Sequence, residues 1–274
     1  MRVLGLDPSL TNFGWAVYDT DADPGARCEA RGRFQTSGKS LFVTRYMGLR
    51  DALRGLVFKL GVTRIGVEHP IFGSDYSEGM WGVFLYTCEA LRAERCDVVF
   101  FSPGQAKAHA RLFLGRPTKP MWKMEKPDMV EAARFHHWGI DPSSGMLVPT
   151  GKKQRAAKDI QAEVRADAPS QVRVVGTTSF NHNEADAYWI AVTSSRFWQF
   201  LDGSLDRSEL TPIERKQFTD IHTYAKGPKA GKTEQKGIAY REDERYHLWS
   251  KDTDNGEGNE GTWEEDEAGD GPAR

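Results

Sequence analysis

The chain has 274 residues, 28% of them charged and 11% aromatic, which suits one large or two small water-soluble domains with a sizeable core. A net charge of −2 counts against a nucleic-acid partner only while the C-terminus is included. Residues 251–274 hold nine acids and two bases, leaving 35 bases, 30 acids and a net of +5 in residues 1–250. That acidic, Gly-rich tail is expected to be disordered, either as a solubilising end or as a DNA-mimicking or partner-binding segment. No apolar run approaches the roughly 18 residues of a membrane span, and Arg2 leads straight into a short strand without a secretory leader's apolar centre. Cys28, Cys88 and Cys96 lie far apart, lack zinc-type spacing and read as reduced thiols of a cytoplasmic protein.

The opening stretch, RVLGLDPSLTNFGWAV at 2–17, organises the rest. A short apolar strand ends at Asp7, a polar turn follows, and a second apolar run starts at Phe13, the pattern of a hairpin with buried strands. Asp7 stands where the buried run stops, and a carboxylate there persists only beside a metal, a proton or a cation. Residues 28–36 alternate loosely and read as a third strand, placed at an edge by its charges. Residues 41–60 repeat apolar side chains at helical spacing, and RIGVE (64–68) is a strand that again ends in a carboxylate. A helix over 78–95, a strand over 97–101 and a helix opening at Pro103 follow, proline being tolerated in a first turn.

Beyond these, 126–138 reads as a short helix with Pro127 in its first turn, 152–166 as a charged helix and 171–175 as a strand. Residues 183–201 form a helix with an apolar face of Ala185, Tyr188, Trp189, Val192, Phe197 and Phe200. Another helix is expected over 211–224, with linker from 225 onward. Three strands, then alternating helices and strands, then a closing helix indicate an α/β layer fold with a mixed sheet.

Three acids fall at informative places: Asp7 ending the first strand, Glu68 ending the fourth, and Asp186 in the first turn of the last long helix. Each alone is equally a turn former, a strand-end surface acid or a helix N-terminal acid favoured by the macrodipole. Ending three elements of one layer, they form a candidate oxygen-rich site for Mg²⁺ or Mn²⁺. Asn183 is three residues before Asp186 and shares its helix face. Two metal ions in such a site suit phosphodiester hydrolysis.

The order of elements and these acids resemble the RuvC-type Holliday junction resolvases of the RNase H-like superfamily. The resemblance covers roughly residues 2–200, with 139–179 as an insertion relative to compact members, and its phage-encoded branch is nearest in the NEADA and KPDMVEAAR segments. Asp7-Pro8-Ser9 with Gly14 matches the family's opening D-P-G motif except that serine replaces glycine. Glu68 matches its second acid, and Asn183-x-x-Asp186-Ala187 its final ligand pair, with asparagine in place of an acid or histidine. His182 or Glu184 could serve instead of Asn183. Gln105-Ala106-Lys107 resembles the family's Q-x-K, and Lys126 the lysine opening its next helix.

The resemblance implies a five-stranded mixed RNase H-like sheet flanked by helices in a domain over 1–202. A C-terminal extension (203–249) and a disordered acidic tail (250–274) follow. It implies a structure-selective DNA endonuclease of recombination and repair, acting as a homodimer on four-way junctions in a bacterial, phage-infected cytoplasm. The helix over 78–95 would form the dimer interface. Two Mg²⁺, replaceable by Mn²⁺, would bind Asp7, Glu68, Asn183 and Asp186, with Lys107 and Lys126 near the scissile phosphate. The basic loop 115–126, with Lys119, Lys123 and Lys126, reads as a phosphate-binding segment. Phe72 falls where the family places an aromatic wedge that stacks into the junction. Two rivals remain: a branched-DNA-binding module without catalysis, and an actin-like phosphotransferase, since DPSLTNFG also resembles that fold's phosphate loop.

Overall fold

The computed structural model describes residues 1–70, 78–116, 124–149, 155–176, 179–219, 221–223, 233–235, 239–242 and 245–248. Its sheet grows outward from the first hairpin, in which β1 (Arg2–Asp7) pairs antiparallel with β2 (Asn12–Asp19) and sets Asp7 opposite Gly14. β3 (Cys28–Thr36) continues antiparallel on β2, while β4 (Arg64–Glu68) and β5 (Asp97–Phe101) add in parallel on the other side of β1. These five strands form a mixed α/β sheet with the five-stranded order that the resemblance implied. The sheet is wider than that ladder. β6 (Val172–Val175) lies antiparallel on β3, and β9 (Ala239–Glu242) with β10 (Arg245–Leu248) extends the β5 side.

Two expectations change accordingly. β3 is not an edge strand, because β6 covers it, and its charges are explained by a partner from below rather than by solvent. The segment after 225 is not all linker: besides β9 and β10 it holds β8 (Thr233–Gln235), paired with β7 (Ile221–Thr223). β7 also ends the helix expected over 211–224, so α7 covers only Pro212–Thr219.

The remaining helices follow the expected order: α1 (Phe42–Leu60), α2 (Glu78–Ala93), α3 (Pro103–Phe113), α4 (Lys126–Trp138), α5 (Arg155–Asp167) and α6 (His182–Leu201). Period-two alternation divides the strands between two cores. Leu4, Leu6, Phe13, Trp15, Val17, Ile65 and Val67 face α1 and α2. Val3, Ala16, Val99 and Phe101 face α3, α4 and α6. α7, within the expected extension, packs on this second core: Phe218 is buried against Phe197 and Phe200, and Arg196 makes two contacts to Glu214, at 2.7 and 3.0 Å. Within the expected insertion, α5 and β6 both join the main layers. The tail over 250–274 lies outside the described residues.

α6 lies unusually close to the sheet, and glycines permit it. A Cβ on Gly14 (β2) would collide with the Asn183 carbonyl, one on Gly5 (β1) with that of Ala187, and one on Gly66 (β4) with Ser194 Oγ. The helix therefore runs diagonally across β2, β1 and β4, its N-terminal turn beside the Asp7–Gly14 pair.

Candidate active site

Strand parity aims two of the three acids at α6. Gly5 and Asp7 share a face of β1, Gly66 and Glu68 share a face of β4, and both glycines touch α6. Leu6 pairs with Val67 in the parallel β1–β4 ladder, so Asp7 and Glu68 leave adjacent strands at the same end. Asp186 comes from the first turn of α6, between Asn183 on Gly14 and Ala187 on Gly5. A capping box fixes that turn: the Asn181 side chain accepts from Asn183 N, and Glu184 reaches back to Asn181 N.

The electrostatics are those of crowded carboxylates in a desolvated place. Burial, then Glu68 and Asp186, push Asp7 well above the usual carboxylate range, against the opposing charges of Lys107 and Lys126. Burial raises Glu68 to about 7, with Lys107 opposing and Asp186 adding to the rise. Asp186 is raised to about 6 by burial, with Lys107 and Lys126 opposing. The structure thus brings Asp7, Glu68, Asp186, Lys107 and Lys126 within one field. Lys107 is half-buried on α3 and Lys126 exposed at the start of α4.

The donor set suits a hard divalent cation, since it is all oxygen and anionic when ionised. Asp186 Oδ1 is buried without a hydrogen-bond partner, an acceptor that a cation would satisfy. The acids nevertheless stand short of a closed cage: among the described residues no group of three acid, histidine or cysteine side chains is close enough to clasp an ion.

Asn183 is buried on Gly14, its Nδ2 donating to the Asn12 carbonyl and its side chain hydrogen-bonded with His182. Its position is thereby set by the β2 backbone. His182 is more open, and burial with the charges of Lys126 and Arg33 lowers its pKa. Glu184 points the other way. It is fully buried, 3.3 Å from Arg31 Nε and 3.5 Å from Arg33 Nε, and so is committed to β3. Sequence reasoning missed these two arginines; their signal was two bases two residues apart in a strand, facing one side. Phe72, Lys119 and Lys123 lie outside the described residues.

No family model matches the chain. The crossover junction endodeoxyribonuclease RuvC of Clavibacter sepedonicus is 33% identical over 111 residues, 39% of this chain and 54% of that protein. Its counterpart from Clavibacter michiganensis subsp. michiganensis is 32% identical over the same length. The matched stretch is RuvC-like. The chain spans about half the length of these curated relatives. Among solved structures, T. thermophilus RuvC in complex with a Holliday junction substrate is 15% identical, covering 74% of this chain and 98% of that one, with a TM-score of 0.45. A second Thermus thermophilus RuvC structure has a TM-score of 0.39 at 16% identity. The RuvC-like assignment therefore rests on the sequence relatives.

Proposed function

We propose that this chain is a metal-dependent, structure-selective endonuclease that resolves Holliday junctions and related branched DNA by paired phosphodiester hydrolysis. The observation that supports it best is the single electrostatic cluster of Asp7, Glu68 and Asp186 with Lys107 and Lys126 at one end of the sheet. The RuvC relatives named as crossover junction endodeoxyribonucleases add the substrate class.

Asp7, Glu68 and Asp186 would hold two Mg²⁺, or Mn²⁺ in their place, with the Asn183 carbonyl oxygen or His182 completing the set. When bound, such ions supply charge neutralisation and a water made nucleophilic near neutral pH. The protein's own part is to gather three carboxylates at one end of the sheet, where burial raises their pKa values and Lys107 and Lys126 oppose that rise. Lys107 and Lys126 set positive charge beside that point, where a phosphoryl group gains negative charge in the transition state. Phe72, Lys119 and Lys123 are assigned to the DNA, the first as a wedge and the others on phosphates.

Resolution needs two symmetric nicks and hence a homodimer. Exposed Leu85 on α2, beside Tyr86 stacked on Tyr46 of α1, supports α2 as its contact face. A phage-infected bacterial cytoplasm is the proposed setting.

Cleavage of a synthetic four-way junction in Mg²⁺, beside linear, flap and fork controls, tests this reading. Paired symmetric nicks are expected, with a loss of about 10²–10³-fold in Asp7→Asn, the scale of removing a charge-stabilising group. Tight junction binding without nicks in Mg²⁺ or Mn²⁺ would replace the nuclease by a binding module. Equal cutting of every branched substrate would remove the junction selectivity.

A further inference from the structure

The pair Arg31 and Arg33 sits on the strand beyond β2, and its relation to the acids follows from register. Asp7 pairs with Gly14, and Gly14 pairs with Arg33, so Asp7 and Arg33 lie in one row across the sheet. At about 4.8 Å per strand, their backbones are roughly 10 Å apart. Gly14 contributes no side chain between them. The first turn of α6 lies over Gly14 in that row, and the Arg33 charge already bears on His182 within that turn.

What occupies Arg33 instead is Glu184. This carboxylate has no exposed surface and lies 3.5 Å from Arg33 Nε and 3.3 Å from Arg31 Nε. Arg31 is itself held: its guanidinium lies 4.3 Å above the Phe180 ring, and its carbonyl accepts from Gln161 Nε2 at 2.5 Å. Glu184 also occupies the third turn position of α6, between Asn183 and Asp186, and reaches the Asn181 backbone. One carboxylate thus ties the strand, the helix cap and two cations together within two residues of the candidate ligands.

We propose that Glu184 is a positioning residue of the metal site: it seats the first turn of α6 so that Asp186 faces Asp7, and it detains Arg33, which would otherwise compete with a divalent cation for those acids. This rests on the nuclease reading above.

Mn²⁺ binding to the full chain without DNA, followed by electron paramagnetic resonance of the free ion, tests it, with thermal melts to establish folding. The proteins are wild type, Asp7→Asn, Glu184→Gln, Arg33→Gln and the double variant Glu184→Gln/Arg33→Gln. Glu184→Gln should weaken Mn²⁺ binding roughly 10-fold, the scale of losing a group that orients ligands. The double variant should recover part of that loss, by roughly threefold, because the released competitor is gone while the seat of the α6 turn is not restored. Wild-type affinity in Glu184→Gln would overturn the proposal. So would a double variant no better than the single one, the outcome for a residue that serves folding alone. If Glu184→Gln does not fold, Arg33→Gln decides: affinity at or above wild type is expected, and a loss overturns the proposal. Equal Mn²⁺ binding by wild type and Asp7→Asn would bring down the nuclease reading and this inference with it. Binding lost in Asp7→Asn but unchanged in Glu184→Gln would bring down this inference alone.

Discussion

Asp186 carries the strain of the site in a single side chain. One of its oxygens is buried without a hydrogen-bond partner, and burial raises its pKa from the ordinary 3.8 to about 6. Near neutral pH without metal, ionised Asp186 therefore opposes folding. Asp186→Asn should raise stability in chelator at about pH 7.5 by roughly 1–2 kcal/mol, counting about 1.4 kcal/mol per pKa unit and discounting for partial exposure. Urea midpoints of the two proteins measure this. A destabilised Asp186→Asn would mean that the carboxylate is satisfied within the fold rather than held open for a ligand. The Glu184 carboxylate differs in kind. It is equally buried but meets two guanidinium groups, so its burial is compensated, while removing one partner of such a pair leaves an uncompensated charge.

At the scale of elements, α6 is placed by absent side chains. Gly5, Gly14 and Gly66 on three adjacent strands admit Ala187, Asn183 and Ser194 at van der Waals range. This close approach brings the N-terminal turn of the helix down to the strand ends that bear Asp7 and Glu68. A Cβ at Gly5 meets helix backbone, which cannot swing aside, so Gly5→Ala should cost roughly 3 kcal/mol or more and displace Asp186. Gly55, inside α1 with open space around its Cβ position, supplies the contrast. Gly55→Ala should stabilise by roughly 0.5–1 kcal/mol, because alanine loses less backbone entropy in a helix. Chemical denaturation of both variants checks the pair; equal effects would remove the close-packing account of α6.

For the whole molecule, two groups of titrating residues oppose each other. Raised acids contribute stability that is fully present below their unfolded pKa and lost as pH rises through the folded value. For Asp186 that window runs from 3.8 to about 6, and for Glu68 from 4.5 to about 7. Two histidines of α4 act in the other direction. Burial, then Arg27 and His137, lowers His136 to about 3; burial, then Arg31 and Arg27, lowers His137 to about 4. Their neutral rings are built in, His136 on the Tyr188 hydroxyl at 2.9 Å and His137 Nδ1 accepting from Cys28 N at 3.1 Å. Their contribution is complete above 6.5 and lost as pH falls toward 4 and 3. In chelator the two trends oppose each other over pH 4.5–6.5, about the span the two groups share. On the proposed metal site Mg²⁺ would bind the ionised acids, so the difference in melting temperature between Mg²⁺ and chelator should be positive above about pH 7 and vanish below about pH 5. Thermal melts across pH measure it; a difference independent of pH would separate the ion from these carboxylates.

Much of this was legible in the sequence because local rules govern it. Short apolar runs marked β1, β2, β4 and β5, helical spacing marked α1 and α6, and both strand-end acids could be named from where buried runs stop. Even the direction of Glu184, away from Asp186, follows from helical spacing. Pairing could not be read in the same way. β6 covers β3 because two segments some 140 residues apart meet edge to edge, and β9 and β10 join β5 from a stretch whose composition resembles linker. The charges on β3 pointed to solvent by composition, yet tertiary structure buries Arg31 and half-buries Arg33 on a carboxylate from α6. The sequence by itself determined which residues can carry the chemistry, since side-chain type and strand parity are local properties. Only the tertiary structure decided their company, because burial and charge depend on segments that the chain brings together across long separations.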